Sequence, residues 1–387
     1  MIIGIDACLV AREKRTGVES YAFQIITHLA HVIPSEVEVR LYTDRTFPES
    51  FAQLIPSHWK QVILSWPPRF LWTQVRLSFE MLRDRPDILF TPGHVEPFIQ
   101  PRATVMMVHD VAAWRIPRAY SLFDRWYTLF LTMKACVKNP VILTPSFFTK
   151  QELEKLILER KVRQKAEIVV IPHGHVSREQ ALHTTPLLAR YGIDENTRYI
   201  ICVGRIEYKK NIDTILAAFE TLKVTSPEHT TLKLVLAGKP GVGYVDIQKL
   251  IDNHPYRTDI IETGWLSDSD LSYMLAHARV LVFASRYEGF GFPVLEALDL
   301  GVPVIATEGM GLEEVGGVYA VYVPATNSDR IAAEIQKFVS LSPADRLQFG
   351  ARAHTYASHF SWARAAEETY ASLTRAYEIA ERSRRVV

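Results

Sequence analysis

The sequence predicts an α/β protein with two doubly wound parallel sheets. Short apolar runs recur along all 387 residues, and most are continuously apolar, which is typical of strands covered on both faces. A helical pattern follows nearly every run, as in doubly wound units. The length exceeds that of one ordinary core, which favours two domains.

The individual elements follow from these patterns. In the first half, the predicted strands are residues 2–6, 37–42, 61–65, 87–91, 104–108, 141–145 and 167–171. In the second half, they are 199–204, 232–238, 259–263, 280–284, 302–306 and 319–323. Predicted helices fit between them, for example at 18–31, 122–137, 147–160, 212–224, 268–278 and 327–340. A serine cap and apolar residues at helical spacing predict a long final helix over 361–385.

The polar segment 173–192 lacks a strand and is predicted to link the two halves through a short helix. We therefore expect one Rossmann-like domain over 1–180 and a second Rossmann-like domain over 181–360. A final helix over 361–387 follows, and its packing back onto the first domain is a hypothesis. Because open parallel sheets bind ligands beyond the carboxyl ends of their strands, we expect the site in a central cleft that both domains face.

Composition narrows the class of protein. Hydrophobic residues make up 48% of the chain and charged residues 22%, which indicates a soluble globular protein. The formal charge of +1 gives no reason to expect a nucleic-acid partner. The three cysteines have no zinc or disulfide spacing, and no leader or membrane span is evident, so a cytoplasmic location is expected.

The stretch RYEGFGFPVLEA (286–297) places two carboxylates around a glycine loop and a helix start. Pro293 suits the first helical position, because its missing N–H would be unpaired there. Gly289 and Gly291 allow a ligand to approach the backbone closely. Together with the helix dipole, the first amides of the helix form a site suited to phosphate. These amides belong to Phe292, Val294 and Leu295. Dipole complementation explains Glu296 alone, whereas a sugar ligand also explains Glu288.

A second cluster lies in VGRIEYKKNIDTILAAF (203–219), where a helix is predicted to begin near Asn211. Arg205, Lys209 and Lys210 therefore crowd the positive end of a helix, which is unfavourable by roughly 0.3–1 kcal/mol per exposed cation. A bound diphosphate would make the electrostatic energy of Arg205 and Lys210 at this position favourable. For Lys209, neutralisation by Glu207 and solvent is the preferred interpretation. Both clusters follow strands of the second domain, and a nucleotide sugar would satisfy both.

These motifs resemble the retaining family 4 glycosyltransferases, which have the GT-B fold. The likeness covers nearly the whole chain and is most specific in SRYEGFGFPVLEALDLGVPVIATEGMGLEEVGG (285–317). It extends to VGRIEYKKNIDTILAAF, GWLSDSDLSYMLAHA (264–278), VHD (108–110) and RTGVESYAFQI (15–25). The more specific likeness is to bacterial enzymes that extend polysaccharide or O-antigen chains. Leu300-Gly301 departs from the Cys-Gly of many members.

The resemblance implies that the domain over 1–180 binds the acceptor and the domain over 181–360 binds the nucleotide-sugar donor. It also implies roles for particular residues. Glu296 would bind the ribose hydroxyls and Glu288 the hydroxyls of the transferred sugar, while Arg205 and Lys210 would neutralise the leaving diphosphate. His109 would reach the transferred sugar near its reacting carbon. The remaining donor-binding positions are main-chain or glycine contacts: Gly17, Leu266, Gly289, Phe290, Gly291, Phe292, Val294 and Leu295.

The resemblance also implies the partners. GDP-mannose is the expected donor, with UDP-hexoses and dTDP-rhamnose as alternatives, and the acceptor is a glycan or lipid-linked saccharide. The segment 67–85 is basic, aromatic and helical. It fits peripheral contact with the inner face of a membrane as well as it fits a half-buried helix. The segment 123–139 poses the same choice, and there core packing is preferred.

No metal or other cofactor is expected. Asp268 and Asp270 form an Asp-x-Asp pair, but Ser267 with Asp270 matches a capping box before an apolar helix. An NAD-linked oxidoreductase is disfavoured, since the glycine fingerprint is missing after the first strand. A nucleotide-sugar epimerase or hydrolase on the same architecture and a non-catalytic sugar-nucleotide sensor remain alternatives.

Overall fold

The structure is a computed structural model, which describes residues 1–12, 15, 17–66, 71–176, 186–194, 197–226 and 230–385. It contains two compact units. The amino-terminal unit comprises Met1–Val111, Leu122–Gly174 and Phe360–Val387, and the carboxyl-terminal unit comprises Ala112–Ser121 and His175–His359. The boundary predicted near residue 180 falls outside the described residues.

The amino-terminal unit is built on a parallel sheet in the order β3-β2-β1-β4-β5-β6-β7. Its strands are β1 (Ile2–Asp6), β2 (Glu38–Thr43), β3 (Lys60–Ile63), β4 (Ile88–Thr91), β5 (Ala103–Met107), β6 (Val141–Thr144) and β7 (Glu167–Val170). The central strands β4, β5 and β6 are buried along their whole length, as their uninterrupted apolar sequence requires.

The carboxyl-terminal unit has a second parallel sheet, in the order β10-β9-β8-β11-β12-β13. Its strands are β8 (Tyr199–Val203), β9 (Lys233–Ala237), β10 (Ile260–Gly264), β11 (Leu281–Phe283), β12 (Val304–Thr307) and β13 (Ala320–Val323). The chain reverses its winding direction between β8 and β11, which therefore flank the topological switch point of this sheet.

Helices connect the strands. In chain order they are α1 (Gly17–Val32), α2 (Glu49–Ala52), α3 (Ser78–Arg83), α4 (Ala112–Arg115), α5 (Leu122–Lys138), α6 (Phe147–Glu159), α7 (Pro186–Arg190), α8 (Ile212–Thr225), α9 (Tyr244–Asp252), α10 (Asp268–His277), α11 (Phe292–Asp299), α12 (Gly311–Gly316), α13 (Ser328–Val339), α14 (Pro343–Ala357) and α15 (Trp362–Arg385). A π-helix over Trp72–Leu77 runs directly into α3, and a 3₁₀ turn over Tyr208–Lys210 precedes α8.

The predicted fold class is confirmed, and each predicted strand forms with ends within two residues of the expected ones. The final helix α15 packs against α1 and the sheet strand β5 within the amino-terminal unit. Trp362, at its start, lies so close to Gly174 that a Cβ there would come within 2.2 Å of the Trp362 nitrogen. Gly174 is therefore a fixed requirement of this packing.

Candidate functional site

The candidate site lies at the switch point of the carboxyl-terminal sheet. β8 and β11 are neighbours and run parallel, so the loops that follow them leave the sheet at the same edge. The loop after β8 carries Arg205 and Lys210, and the loop after β11 carries Glu288. The topology therefore brings together two clusters that are about eighty residues apart in the sequence.

The loop after β8 depends on Gly204 for its shape. This glycine has a φ of +131°, a conformation that side chains with a Cβ rarely adopt. A Cβ there would also lie 2.8 Å from Cε of Lys210, whose aliphatic chain passes over the glycine. The close approach directs the Lys210 ammonium toward the loop after β11.

Glu288 forms ion pairs with both lysines. Nζ of Lys210 lies 2.6 Å from Oε1 of Glu288, and Nζ of Lys209 lies 3.6 Å from Oε2. All three side chains are largely buried, with 11 to 18% of their area exposed. The assignment of Lys209 to Glu207 and solvent was wrong: in the structure the Lys209 ammonium turns to Glu288.

This ion pair explains how cations are tolerated at the start of α8. A carboxylate of the chain itself occupies the position at which an anion would lower the electrostatic energy. Lys210 also lies 4.4 Å from the ring centroid of Phe283, the last residue of β11, which adds a cation–π contact. The positively charged loop is therefore held in place by Glu288 and Phe283 without a ligand.

Arg205 differs from the two lysines. Its side chain is exposed, and its guanidinium makes no hydrogen bond or ion pair within the ranges that the structure describes. Together with Lys210, Phe283 and Ser285, it lines a small cavity beside the ends of β8 and β11. The buried Ser285 hydroxyl has no hydrogen-bond partner among the described residues. Arg205, whose guanidinium is uncompensated among the described residues, and Ser285, whose hydroxyl is unpaired there, therefore line the same cavity.

The glycine loop after β11 is compact. Glu288, Gly289 and Phe290 are buried, and Gly291 adopts a φ of +110° immediately before α11. A Cβ on Gly291 would lie 2.5 Å from Cδ2 of Leu312. Both the positive φ angle and the limited space beside Leu312 therefore favour glycine at this position.

The start of α11 differs in two details from the sequence expectation. Phe292 is its first residue, so Pro293 occupies the second helical position instead of the predicted first. The amide of Val294 donates to the carbonyl of Gly291 at 3.0 Å, so this N–H is already engaged in the turn. Glu296 lies half-buried one turn into the helix.

The remaining donor-binding candidate of this unit is Leu266. It follows Gly264, which ends β10 with a φ of +69°, and its side chain is buried. Its burial leaves the main chain as the part of Leu266 available for a contact. Nearby, Ser267 is the N-cap of α10, because the amide of Asp270 donates to its Oγ at 3.1 Å. This is one of the two hydrogen bonds of the predicted capping box.

Two residues that sequence reasoning missed join the two loops. Arg286 donates to the carbonyl of Tyr208 and to Asp213, both at 2.7 Å, and its guanidinium lies over the Tyr208 ring. Asn211, buried with a φ of +59°, donates to the carbonyl of Ala284 at 2.9 Å. The signal in the sequence was Arg286 itself, a further cation directly before the glycine loop.

His109 and Gly17 belong to the amino-terminal unit. Gly17 is the first residue of α1. The imidazole of His109 packs against Tyr21, His94 and His173, and its Nε2 lies 2.9 Å from the carbonyl of Pro92. The removal of water from the ring, reinforced by His94, lowers the pKa of His109 to about 3. His109 is therefore neutral near pH 7.

Two further features of the described ranges concern metal binding and membrane crossing. No cluster of three or more His, Cys, Asp or Glu side chains there has an arrangement that could hold a metal ion. Among the same residues, no helix combines the length and the apolar character needed to cross a bilayer.

Comparison with known sequences identifies relatives of this chain. Residues 185–355 match the family described as Glycosyl transferases group 1. Over 373 residues the chain is 27% identical to O-antigen chain mannosyltransferase B of Escherichia coli, covering 92% of this chain and 94% of that protein.

Comparison with solved structures confirms the fold. Sucrose-phosphate synthase from Thermosynechococcus elongatus superposes with a TM-score of 0.73 at 18% identity, covering 98% of this chain and 100% of the other. Alr3699/HepE of Anabaena, solved in complex with UDP-glucose, gives a TM-score of 0.71 at 17% identity, with coverages of 97% and 99%. These likenesses show that the fold is GT-B.

Proposed function

Because residues 185–355 match the group 1 glycosyl transferases and the fold is GT-B, we propose that this glycosyltransferase transfers a mannosyl residue from GDP-mannose with retention of configuration. The acceptor is a glycan or a lipid-linked saccharide in the synthesis of a cell-surface polysaccharide. The observation that carries the proposal is the meeting of Lys210 and Glu288 at the switch point, beside the unpaired guanidinium of Arg205.

The proposed reaction separates charge. When the bond between the sugar and the diphosphate breaks, positive charge develops on the sugar carbon and negative charge on the leaving phosphate. Arg205 is available for this phosphate without breaking an internal contact, whereas Lys210 exchanges Glu288 for it. Preorganised donors of this kind typically contribute about 10²–10³ in rate each.

The movement of Lys210 from Glu288 to the phosphate also frees Glu288 to bind the sugar. Once Lys210 turns to the diphosphate, the Glu288 carboxylate is released to accept hydrogen bonds from hydroxyls of the transferred sugar. Lys209, at 3.6 Å, stays as its counter-ion. Glu288 therefore binds sugar in the proposal and is not assigned the role of a nucleophile.

The other donor contacts follow the sequence resemblance. Glu296 binds the ribose hydroxyls, and the main chain of Leu266 contacts the base. Sugar and phosphate are held by the backbone N–H groups from Phe290 to Leu295. Two positions in this range are excluded: Pro293 has no N–H, and the N–H of Val294 is engaged by the carbonyl of Gly291. Gly17 is assigned to the donor phosphates, and neutral His109 to the transferred sugar near its reacting carbon.

The choice of mannose rests on likeness to a relative named as a mannosyltransferase, and the choice of GDP rests on the family resemblance of the sequence. UDP-hexoses are the first alternative, because a solved neighbour is titled as a UDP-glucose complex, and dTDP-rhamnose is the second. The proposed mechanism requires no metal or other cofactor, since the cations of the chain itself neutralise the diphosphate. The free thiols Cys8, Cys136 and Cys202 are consistent with the proposed cytoplasmic location.

The proposal is tested by donor binding followed by transfer. Calorimetry with GDP-, UDP-, dTDP- and ADP-sugars identifies the donor, and nuclear magnetic resonance of the product then gives the anomeric configuration. Tight binding of GDP-mannose and an α-linked product support the proposal. Tighter binding of another donor would refute the assignment of mannose from GDP-mannose. A product with inverted anomeric configuration would refute the proposed retention. Release of free mannose at an equal rate with and without acceptor would identify a hydrolase.

A further inference from the structure

One surface of the amino-terminal unit exposes large apolar side chains from three separate segments. The segments are the π-helix together with α3 (residues 72–83), the loop at residues 98–99, and α5. We call this surface the apolar face and define it by six exposed residues: Phe79, Leu82, Phe98, Ile99, Trp126 and Phe130. Phe79, Trp126 and Phe130 each leave more than half of their area in water. Contiguous apolar exposure of this kind marks interaction surfaces.

Hydrogen bonds show that the three segments are neighbours. The amide of Ile99 donates to Oγ of Ser78 at 3.2 Å, which ties the loop to α3. The ammonium of Lys134 in α5 donates to the carbonyl of Pro97 at 2.6 Å and lies 6.0 Å from the Phe98 ring centroid. The loop therefore bridges the two helices. In α5, residues 126, 130 and 134 are spaced by four and share one helical stripe.

The charge around the apolar face is distinctly positive. Residues 72–85, 96–102 and 122–138 contain seven basic and four acidic side chains, although the whole chain carries only +1. Two of the acidic residues are already engaged, Glu80 with Arg76 at 2.9 Å and Asp84 with Arg40 at 2.8 Å. The excess basic charge is exposed on Arg83, Arg85, Arg102 and Lys138.

We propose that the apolar face docks on a lipid bilayer that contains anionic headgroups. Aromatic and aliphatic side chains enter the interfacial region, while the surrounding arginines and lysines bind lipid phosphates. The buried pair of Lys134 with Glu96, 3.1 Å apart, fixes α5 against the loop and so keeps the surface in shape. Docking does not depend on the donor specificity proposed above. It explains how a lipid-linked acceptor would be presented to the enzyme.

The test is co-sedimentation of the full chain with vesicles. Vesicles of phosphatidylcholine alone are compared with vesicles that also contain phosphatidylglycerol, at low and high salt. The wild type is expected to bind the anionic vesicles and to lose affinity as salt rises. The double variant Trp126→Ser/Phe130→Ser is expected to bind at least about tenfold more weakly. The control, Leu158→Ser, changes an even more exposed apolar residue on α6 of the same unit and is expected to bind like the wild type.

Each other outcome overturns the proposal. The proposal is refuted if the wild type fails to sediment with anionic vesicles. It is also refuted if the double variant sediments with them as well as the control does. If size-exclusion chromatography shows a wild-type dimer that the double variant loses, the face serves a second copy of the chain. Transfer to a short water-soluble saccharide separates docking from catalysis: the double variant is expected to keep this activity, and its loss in both proteins would refute the enzyme assignment instead.

A different observation assigns a role to His94. Its Nε2 accepts a hydrogen bond from the amide of His109 and a longer one, at 3.4 Å, from the amide of Asp110. The two imidazoles stack with their centroids 5.5 Å apart. Because Nε2 accepts these bonds, His94 must be unprotonated at this nitrogen. The backbone that carries His109 is thus held by the imidazole of His94.

We infer that His94 is a positioning residue for His109, an inference that rests on the catalytic role proposed for His109. His94→Leu removes the acceptor, and His94→Gln offers an amide oxygen in its place. We expect His94→Leu to lower kcat at least about tenfold with little change in the KM for the donor. The His94→Gln variant is expected to recover most of kcat.

Three results discriminate the possibilities. Equal kcat in wild type and His94→Leu, with His109→Ala inactive, would overturn the inference and leave the proposed function intact. Full activity of His109→Ala would instead refute the catalytic role of His109. If His94→Gln is as slow as His94→Leu while both melt at the wild-type temperature, the acceptor is not what His94 supplies.

Discussion

Replacement of Lys210 by alanine separates the catalytic from the structural contribution of the ion pair. The substitution removes an ammonium that lies 2.6 Å from Oε1 of Glu288 and 4.4 Å from the Phe283 ring centroid. Glu288 is not left without a counter-ion, because the Lys209 ammonium is 3.6 Å from its other oxygen. The loss of stability is therefore expected to be small and the loss of turnover large.

The expected magnitudes follow from this geometry. Removing one partner of a fully buried ion pair costs about 3–5 kcal/mol, but here a second cation remains, so we expect about 1 kcal/mol in the free energy of unfolding. For catalysis, two unit charges about 4 Å apart interact by about 4 kcal/mol at an effective dielectric constant near 20. This is comparable to a loss of one preorganised donor, and kcat should fall by about 10²–10³.

The assay is steady-state transfer, with urea denaturation of the same samples. Lys249→Ala is the matched control, since the Lys249 side chain is 69% exposed in the same unit and its ammonium forms an ion pair with the exposed Asp246 at 3.3 Å. The control should match the wild type in both measurements. A fall in kcat of less than about tenfold for Lys210→Ala, which is only about 1.4 kcal/mol, would refute the role given to this lysine.

Three further predictions address other parts of the site. Glu296→Ala should weaken the binding of a nucleoside diphosphate but not that of its 2′,3′-dideoxy analogue, because only the former has ribose hydroxyls to lose; calorimetry checks this. Gly291→Ala should lower the free energy of unfolding by about 2 kcal/mol, measured in urea, because the φ of +110° and the 2.5 Å approach to Leu312 both oppose a Cβ. His109→Gln should make stability less sensitive to acid, by about 2 kcal/mol between pH 7 and pH 5.

The sign of the last effect follows from the lowered pKa. Between the folded value of about 3 and the unfolded value near 6.5, the unfolded chain binds a proton on His109 that the folded chain does not. Stability is therefore full above pH 6.5 and is lost as pH falls toward 3. Equal acid sensitivity of wild type and variant would contradict this, as would unchanged affinity of Glu296→Ala for the diphosphate or wild-type stability of Gly291→Ala.

The sequence was most informative where burial is continuous. The run YIICV of β8 is buried at every position, so its apolar pattern could have only one structural meaning in a parallel sheet. α14 was missed for the opposite reason: this helix of 15 residues buries only Ala353 and Ala357, and two small side chains leave no clear period. Its position is set by packing against α11, which local sequence does not report.

The site could be predicted in its parts but not in its contacts. Glycine loops and helix starts are local features, and they correctly located both clusters on one unit. The pairing of Lys210 with Glu288 joins residues 78 positions apart and depends on which strand lies beside β8. Lys209 was assigned to its near neighbour Glu207 because the sequence does not show that Glu288 lies beside it in three dimensions.

The central claim is that Arg205 and Lys210 hold the diphosphate of the donor. Calorimetric titration of GDP and GMP into the wild type and the Arg205→Ala/Lys210→Ala variant tests it most directly, because the two ligands differ by one phosphate. The wild type is expected to bind GDP at least about tenfold more tightly than GMP, and the variant to bind the two almost equally. An unchanged ratio of the two affinities in the variant would show that these cations do not hold the diphosphate.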